Sequence, residues 1–406
     1  MNTTKGHERT LYQLFSLIEK GHLVVRNHQG EEFHFGQQDT PPEFRLCINN
    51  PKTYERLISF GTLGFGESYI DGWLDEADNK LMGLIGLFLD NGLNQKVSRN
   101  LALTAQLLFQ RVLTTPRRIQ NSRKNVAFHY DIGNDFYKLF LDKSLTYSCG
   151  YQLIPDDSLE DMQRQKYQLI AQKLSLNKED RIVDIGCGWG GMLIYAAQKY
   201  GVSGLGITLS QEQASLATRR IEELGLSHQI EVKVLDYREL QGQYDKLVSI
   251  GMFEHVGKSN YATFMQKTAE LLQPEGIGLL HTVGTIGRLG NGPLVQKYFF
   301  PGGYLPKLHQ IMEPMWAAGL NIAHCENLKP HYAETLRHWS ANFQANQEKI
   351  KALSNRYDDR FLRMWNLYLQ IFEASFRYGN IQLFQILFQK GRNWQFSTPL
   401  DFQIDS

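Results

Sequence analysis

The spacing of apolar and polar positions changes several times along the chain, and each change predicts an element. Residues 23–35 (LVVRNHQGEEFHF) place two apolar runs about a polar centre, the pattern of a hairpin with Gly30 in its turn. Residues 43–48 predict another strand, 51–60 a short helix and 78–90 an apolar helix, with the Gly-punctuated stretch GTLGFGESYIDGW between the two helices. From 181 to 284 strand and helix patterns alternate. Strands are expected at 181–185, 202–207, 230–235, 246–251 and 277–283, and helices near 189–200, 211–225 and 260–273. That succession predicts an α/β fold, a Rossmann-like doubly wound, mostly parallel sheet covered by helices on both faces. Residues 330–379 read as two long helices, and the apolar run 383–388 as a last strand. There is no internal repeat.

Composition narrows the class. The chain has 406 residues, 42% of them apolar and 21% charged, enough for a sizeable core and two or three domains. Lysines and arginines (43) nearly cancel aspartates and glutamates (42), which argues against nucleic acid as a partner. No stretch reaches the ~18 apolar residues of a membrane span. The candidate of greatest length, Leu81–Leu89, is closed off by Lys80 and Asp90. The N-terminus has no signal-peptide pattern. Cys47, Cys149, Cys187 and Cys325 lie far apart without CxxC spacing, so neither a zinc ribbon nor a thioredoxin-like motif is expected, and a reduced, cytoplasmic protein is.

The charge is unevenly placed. Between residues 91 and 130 lie Lys96, Arg99, Arg111, Arg117, Arg118, Arg123 and Lys124, with no acidic residue. The middle of this window, LALTAQLLFQRVL, is helix-like, and its end, TTPRRIQNSRKN, is linker-like with Pro116 as a break. The expected division is therefore a smaller N-terminal α+β domain over 1–115, a basic linker to about 125, and a catalytic domain over 126–406.

The strongest local motif begins at Asp184 and runs Ile-Gly186-Cys-Gly188-Trp-Gly190-Gly191, after a strand and at the start of a helix. Glycines there let a backbone approach a ligand, and the helix start offers free N–H groups. An acidic residue two positions before GxGxG is the form characteristic of class I S-adenosylmethionine methyltransferases. The second strand of the region ends in Thr208, Leu209, Ser210 and Gln213, where this fold meets a ribose. Asp236, Tyr237 and Arg238 end the third strand, with Asp236 placed to accept from an adenine amino group and Tyr237 to line the ring.

Further segments resemble the cyclopropane fatty acid synthase family, which includes the mycolic acid cyclopropane synthases. They are His129–Asp135 (HYDIGND), Tyr147–Tyr151 (YSCGY), Met252–Gly257 (MFEHVG), Tyr298–Tyr304 (YFFPGGY), and His331 with Tyr332. The stretch Gly64–Trp73 resembles the N-terminal domain of the bacterial phospholipid-acting branch. The resemblance implies transfer of a methylene from S-adenosylmethionine across a cis double bond of an unsaturated phospholipid acyl chain. An alkene is a weak nucleophile, so positioning must supply much of the catalysis. Attack leaves a carbocation, and loss of a proton from the added methyl closes the ring.

By the same resemblance the base is a bound bicarbonate ion, held by the backbone of Cys149, the side chains of Glu254, His281 and Tyr332, and the N–H of Val283. Tyr147 and Ser148 are expected at the carboxylate end of the cofactor. A sulfonium donor needs no covalent enzyme intermediate, so the backbone of Cys149 is expected to matter rather than its thiol. The rings of Tyr298–Tyr304 are candidates to line the acyl channel, with core packing the alternative. Many relatives carry a Cys where this chain has Phe372, shortly before the pair Phe376-Arg377, so a thiol at that position is not required here. The basic window 91–130, with the apolar Leu101–Leu108, is the candidate surface for an anionic membrane, implying peripheral association with its inner face. The N-terminal domain is also a candidate for homodimer contacts. Two other outcomes stay open at this point: a fatty-acyl C-methyltransferase giving a methyl or methylene branch, and a non-catalytic lipid-binding relative.

Overall fold

A computed structural model describes residues 3–38, 41–100, 103–104, 106–107, 132–287, 292–392 and 396. The segment His129–Asp131, most of Leu101–Leu108, and Arg111, Arg117, Arg118, Arg123 and Lys124 of the basic window lie outside the described residues. The chain divides into two compact units. The first comprises Met1–Asp131, Asn291–Pro301 and Phe343–Gly379; the second comprises Ile132–Gly290, Gly302–Asn342 and Asn380–Ser406. A single cut near residues 115–125 would leave the segments 291–301 and 343–379 with the later part of the chain. They cluster with the first unit instead, because the helix Asp359–Tyr378 is strongly one-sided. Its buried face, including Phe361, Trp365, Tyr368 and Phe372, packs against the helices Thr62–Ile70 and Leu81–Asp90.

In the first unit β1 (His22–Arg26) and β2 (Glu32–Gly36) form the expected antiparallel hairpin, and Gly30 takes φ +88° in its turn. β3 (Glu43–Ile48) pairs parallel with β1, and β4 (Leu74–Glu76) closes the sheet in the order β2-β1-β3-β4. The Gly-punctuated stretch is helical over Thr62–Ile70, although each interior glycine costs a helix about 1 kcal/mol relative to alanine. Close approach explains the glycines. A Cβ at Gly64 would lie 2.1 Å from the Arg56 carbonyl oxygen, and one at Gly66 would lie 2.4 Å from a Leu294 methyl. Beside them Lys297 pairs with Glu67 at 2.5 Å, and Phe299 and Phe300 pack on Tyr368 and Phe372. Phe299 is thus interior to this unit, Tyr298 and Phe300 are half-buried beside it, and Phe372 is a packing ring.

The second unit is a seven-stranded sheet. Its strands are β5 (Arg181–Ile185), β6 (Ser203–Thr208), β7 (Ile230–Val234), β8 (Tyr244–Ile250), β9 (Leu272–Thr285), β10 (Leu320–Asn327) and β11 (Ile381–Lys390), in the order β10-β11-β9-β8-β5-β6-β7. β5 to β9 pair in parallel, whereas β11 runs antiparallel to β9, and β10 antiparallel to β11. All five strands expected in 181–284 are present, with the helices Gly191–Tyr200, Gln211–Glu223 and Tyr261–Leu271 between them. Apolar clusters cover both faces of the sheet. β5 lies between β6 and β8, so the chain order reverses there, and ligands of such sheets bind at the carboxyl ends of the strands beside that point. The expected pair of late helices is three: Lys329–Ala345, Gln347–Leu353 and Asp359–Tyr378.

The packing at Gly64 generates a stability test. Gly64→Ala drives a methyl into backbone, which cannot swing aside, whereas Gly66→Ala meets a leucine side chain, which can. Gly64→Ala is expected to lower the thermal midpoint clearly more than Gly66→Ala, by an amount corresponding to about 1–3 kcal/mol. Equal midpoints for the two variants would contradict the close helix contact.

Candidate active site

The glycine turn follows β5. Gly186, Gly188 and Gly190 adopt φ of +85°, +55° and +78°, conformations that residues with a Cβ rarely adopt, and Gly190 caps the helix Gly191–Tyr200. A Cβ at Gly186 would also meet that of Met252 at 2.6 Å. Asp184 is 2% exposed, and its Oδ1 has no hydrogen-bond partner. Burial pushes its carboxyl above the usual carboxylate range.

At the end of β6 the expected ligand residues are bonded to one another. Thr208 Oγ1 donates to Gln213 Oε1 at 2.7 Å, and Ser210 Oγ accepts from the Gln213 N–H as the cap of the helix Gln211–Glu223. Leu209 stands out at 75% exposure. Asp236 accepts from Arg238 Nε at 2.9 Å, Nη2 at 2.6 Å and the backbone N–H at 2.9 Å, bonds that hold its carboxyl below the ordinary value. A base amino group would meet an aspartate already paired with Arg238. Tyr237 packs edge-on against Phe264 at 5.2 Å.

A second group of residues surrounds the outer ends of β8 and β9. Glu254 lies in the short turn Phe253–His255 after β8, and its Oε1 accepts from the Val283 N–H at 2.5 Å. The N–H expected to face an anion is thus engaged by the carboxylate expected beside it. Glu254 Oε2 is buried without a partner. Burial raises this carboxyl to about 7, against the opposing pull of the Val283 N–H. His281, opposite Ile250 in the parallel register, is 1% exposed. Its Nε2 has no partner, and burial, with Lys166 and Lys173 adding, lowers its pKa well below the ordinary histidine value.

Cys149 is fully buried, and desolvation pushes its thiol far above the ordinary range, so no thiolate is available there. The adjacent Gly150 N–H donates to Thr335 Oγ1 at 2.9 Å, and the Gln152 N–H donates to His331 Nδ1 at 3.0 Å. These bonds bind the 147–152 segment to the helix Lys329–Ala345, which carries Tyr332. Tyr332 packs edge-on against Trp339 at 6.0 Å, and Tyr147 stacks on the same ring at 5.1 Å.

The family model for mycolic acid cyclopropane synthetase matches residues 117–386. The chain belongs to that family. The cyclopropane-fatty-acyl-phospholipid synthase of Escherichia coli K12 is 38% identical over 352 residues, 85% of this chain and 88% of that protein. A protein of Pseudomonas putida described as a probable fatty acid methyltransferase is 34% identical over 392 residues, 93% of this chain and 94% of its own. Among solved structures, mycolic acid cyclopropane synthase CmaA1 complexed with SAH and CTAB is 33% identical, with a TM-score of 0.61 over 66% of this chain and 98% of that one. This member of the cyclopropane synthase family is accordingly an S-adenosylmethionine-dependent methyltransferase, the class its glycine turn indicates.

One buried polar residue beside these groups belongs to no motif. Lys166, on the helix Leu159–Lys173, is fully buried and donates to Ser148 Oγ at 3.0 Å, with its ammonium 4.4 Å from the centre of the Tyr167 ring. Its charge acts on Asp184, Cys149 and His281, which places parts of both residue groups around one buried cation. Gln163, on the same helix face, donates to the Ser148 carbonyl at 2.9 Å. The available signal was a helix whose inward stripe, at positions 163, 166, 170 and 173, is three parts polar. An apolar-periodicity search passes over such a stripe.

Glu254 makes its burial measurable. Its pKa is about 7 in the folded chain against an ordinary 4.5, so between these values the folded state holds a proton that the unfolded state has lost. The stability it contributes is fully present below pH 4.5 and is lost as pH rises through about 7. Glu254→Gln keeps the shape and the acceptor for Val283 without ionising. The thermal midpoint of the unliganded variant, relative to wild type, is expected to rise between about pH 5 and about pH 8. A difference independent of pH would exclude the buried, raised carboxyl.

Proposed function

We propose that the protein is a cyclopropane fatty acid synthase acting on unsaturated phospholipid acyl chains. The observation that carries this reading is the pair of unpartnered buried atoms, Glu254 Oε2 and His281 Nε2, at the neighbouring ends of β8 and β9. Buried polar atoms are ordinarily satisfied, so two at the same end of adjacent strands call for a small polar ligand. Similarity to the E. coli cyclopropane-fatty-acyl-phospholipid synthase over 88% of its length supports the substrate class.

The donor set fits bicarbonate. An ion of one negative charge, carrying one O–H, needs donors for its charged oxygens and an acceptor for its hydroxyl. Glu254 Oε2 is the acceptor; the His281 ring, the Tyr332 hydroxyl and the backbone at Cys149 are the holding groups. The Val283 N–H acts one step back by fixing Glu254 Oε1. When bound, S-adenosylmethionine supplies an electrophilic methyl group and bicarbonate a weak base. The chain's own residues bind and orient. The turn from Asp184 to Gly190 offers backbone N–H groups at a helix start, and Lys166, whose pKa burial lowers to about 7, donates a hydrogen bond to Ser148. Fully buried Phe253 and Cys149 help to keep water from a developing cation, which would otherwise be captured as an alcohol.

Docking to an anionic bilayer is part of the same reading, since the substrate chain lies there. No helix among the described residues is long and apolar enough to cross a membrane. The basic window supports surface attraction at roughly 1 kcal/mol per exposed Lys or Arg. Lys96 of that window is already engaged, by the Leu17 carbonyl and Glu19. A second reading, a fatty-acyl C-methyltransferase, is favoured by the similarity to the P. putida protein.

Product analysis separates the two. The protein is incubated with S-adenosylmethionine and vesicles of unsaturated phospholipid, and the released acyl chains are analysed by mass and proton resonance. A gain of one CH₂ with cyclopropyl signals is expected; a methyl or methylene branch would replace the first reading by the second. Unmodified chains would exclude both. Glu254→Gln is expected to reduce turnover by roughly 10²-fold or more while S-adenosylhomocysteine binding is unchanged. Stripping dissolved bicarbonate should reduce wild-type turnover, and restoring it should recover the rate. Indifference of the rate to bicarbonate would remove the anion from this reading.

A further inference from the structure

A buried line of hydrogen bonds leads from the edge of the sheet to His281. Lys173 Nζ donates to Glu326 Oε2 at 2.5 Å and to Gln385 Oε1 at 2.5 Å. Gln385 Nε2 lies 3.2 Å from His281 Nδ1. The helix Leu159–Lys173 contributes the lysine, β10 the glutamate, β11 the glutamine and β9 the histidine, and Gln385 stands directly opposite His281 in the antiparallel register. Lys173, Gln385 and His281 are 1%, 0% and 1% exposed, so no solvent competes for the two bonds at Gln385, while Glu326 is half-buried.

The inventory of donors and acceptors leaves one arrangement. An ammonium can only donate, so the Gln385 amide must turn its oxygen to Lys173. Its NH₂ then faces His281, and because an NH₂ also only donates, His281 Nδ1 must be an unprotonated acceptor. A neutral imidazole in that position carries its hydrogen on Nε2. Both premises have support in the surroundings. Burial lowers the Lys173 pKa below the ordinary lysine value, and the direct contact with Glu326 opposes that shift and favours the charged form. Burial and two nearby lysines, Lys166 and Lys173, keep the His281 ring neutral.

We propose that Glu326, Lys173 and Gln385 are positioning residues that hold His281 as its Nε2–H tautomer, so that the unpartnered ring atom presents a hydrogen-bond donor. A ring so held donates to a ligand but cannot take a proton at Nε2, which leaves deprotonation of the added methyl to another group. Delivery of that hydrogen bond to an anion rests on the reading under Proposed function; the tautomer itself does not.

The tautomer can be measured on the unliganded full chain. With ¹⁵N-labelled histidine, the His281 ring is assigned by comparison with His281→Asn, and two-bond ¹⁵N–¹H correlations report which nitrogen is protonated. Wild type is expected to show Nε2–H; an Nδ1–H ring or an imidazolium would overturn the proposal. Gln385→Glu replaces the donating NH₂ by an acceptor and is expected to move a hydrogen onto Nδ1. Turnover should fall roughly 10–100-fold, with S-adenosylhomocysteine binding unchanged. A ring that stays in its wild-type form in this variant overturns the relay. A ring that gains Nδ1–H with turnover intact overturns the positioning role, whereas failure of the anion reading shows separately as a bicarbonate-independent rate. Should Gln385→Glu not fold, Gln385→Met serves: it leaves Nδ1 without a donor, and a ring fixed wholly as Nε2–H with full turnover would again overturn the proposal.

Discussion

The hydrogen bond from the Val283 N–H to Glu254 ties the turn after β8 to the outer end of β9, and the chemistry of the second unit is arranged around that tie. A carboxyl withdrawn from water tends to take up a proton or to find a donor. Here one oxygen has a backbone donor and the other has none, so the group is held firmly yet remains incomplete. The same adjacency of β8 and β9 brings His281, also incomplete at one atom, to the same end of the sheet. A buried setting makes each polar atom expensive unless it is paired in the folded state or by a ligand.

Two buried lysines lie near these groups, each with its pKa lowered by burial and raised in part by acidic neighbours. Lys166 lies among Asp142, Asp184 and Cys149, and Lys173 is paired with Glu326. Both come from one helix, seven residues apart, so they project from one face. Together they disfavour an imidazolium at His281 while favouring an anion nearby. The helix therefore contributes electrostatics to Glu254 and His281 at the ends of β8 and β9 only through the surroundings of His281.

In the first unit the governing requirement is steric. Gly64 and Gly66 allow the helix Thr62–Ile70 to touch the Arg56 backbone and Leu294, and the late helix Asp359–Tyr378 supplies a face of large rings. Glycines inside a helix lower its intrinsic propensity, so this helix is a product of its packing. Phe372 belongs to that packing, with rings from Phe299, Phe300 and Tyr368 around it.

Local pattern was sufficient for much of this protein. The hairpin at 23–35, the five parallel strands, their helices and the glycine turn each follow from periodicity or from a backbone conformation that only glycine readily adopts. The expectation for Glu254, His281 and Tyr332 came instead from resemblance to a family. What the sequence could not determine depends on partners distant along the chain. β10 escaped notice because an edge strand with only Leu320 fully buried has little apolar signal. Lys166, Lys173 and Gln385 looked like solvated positions, since burial of a polar side chain is decided by the atoms that satisfy it. Those atoms lie up to 212 residues away, as Lys173 and Gln385 do. Sequence by itself therefore determined many of the elements and the class of chemistry at hand. Only the tertiary structure decided which polar groups lose their water, and so which can be left waiting for a ligand.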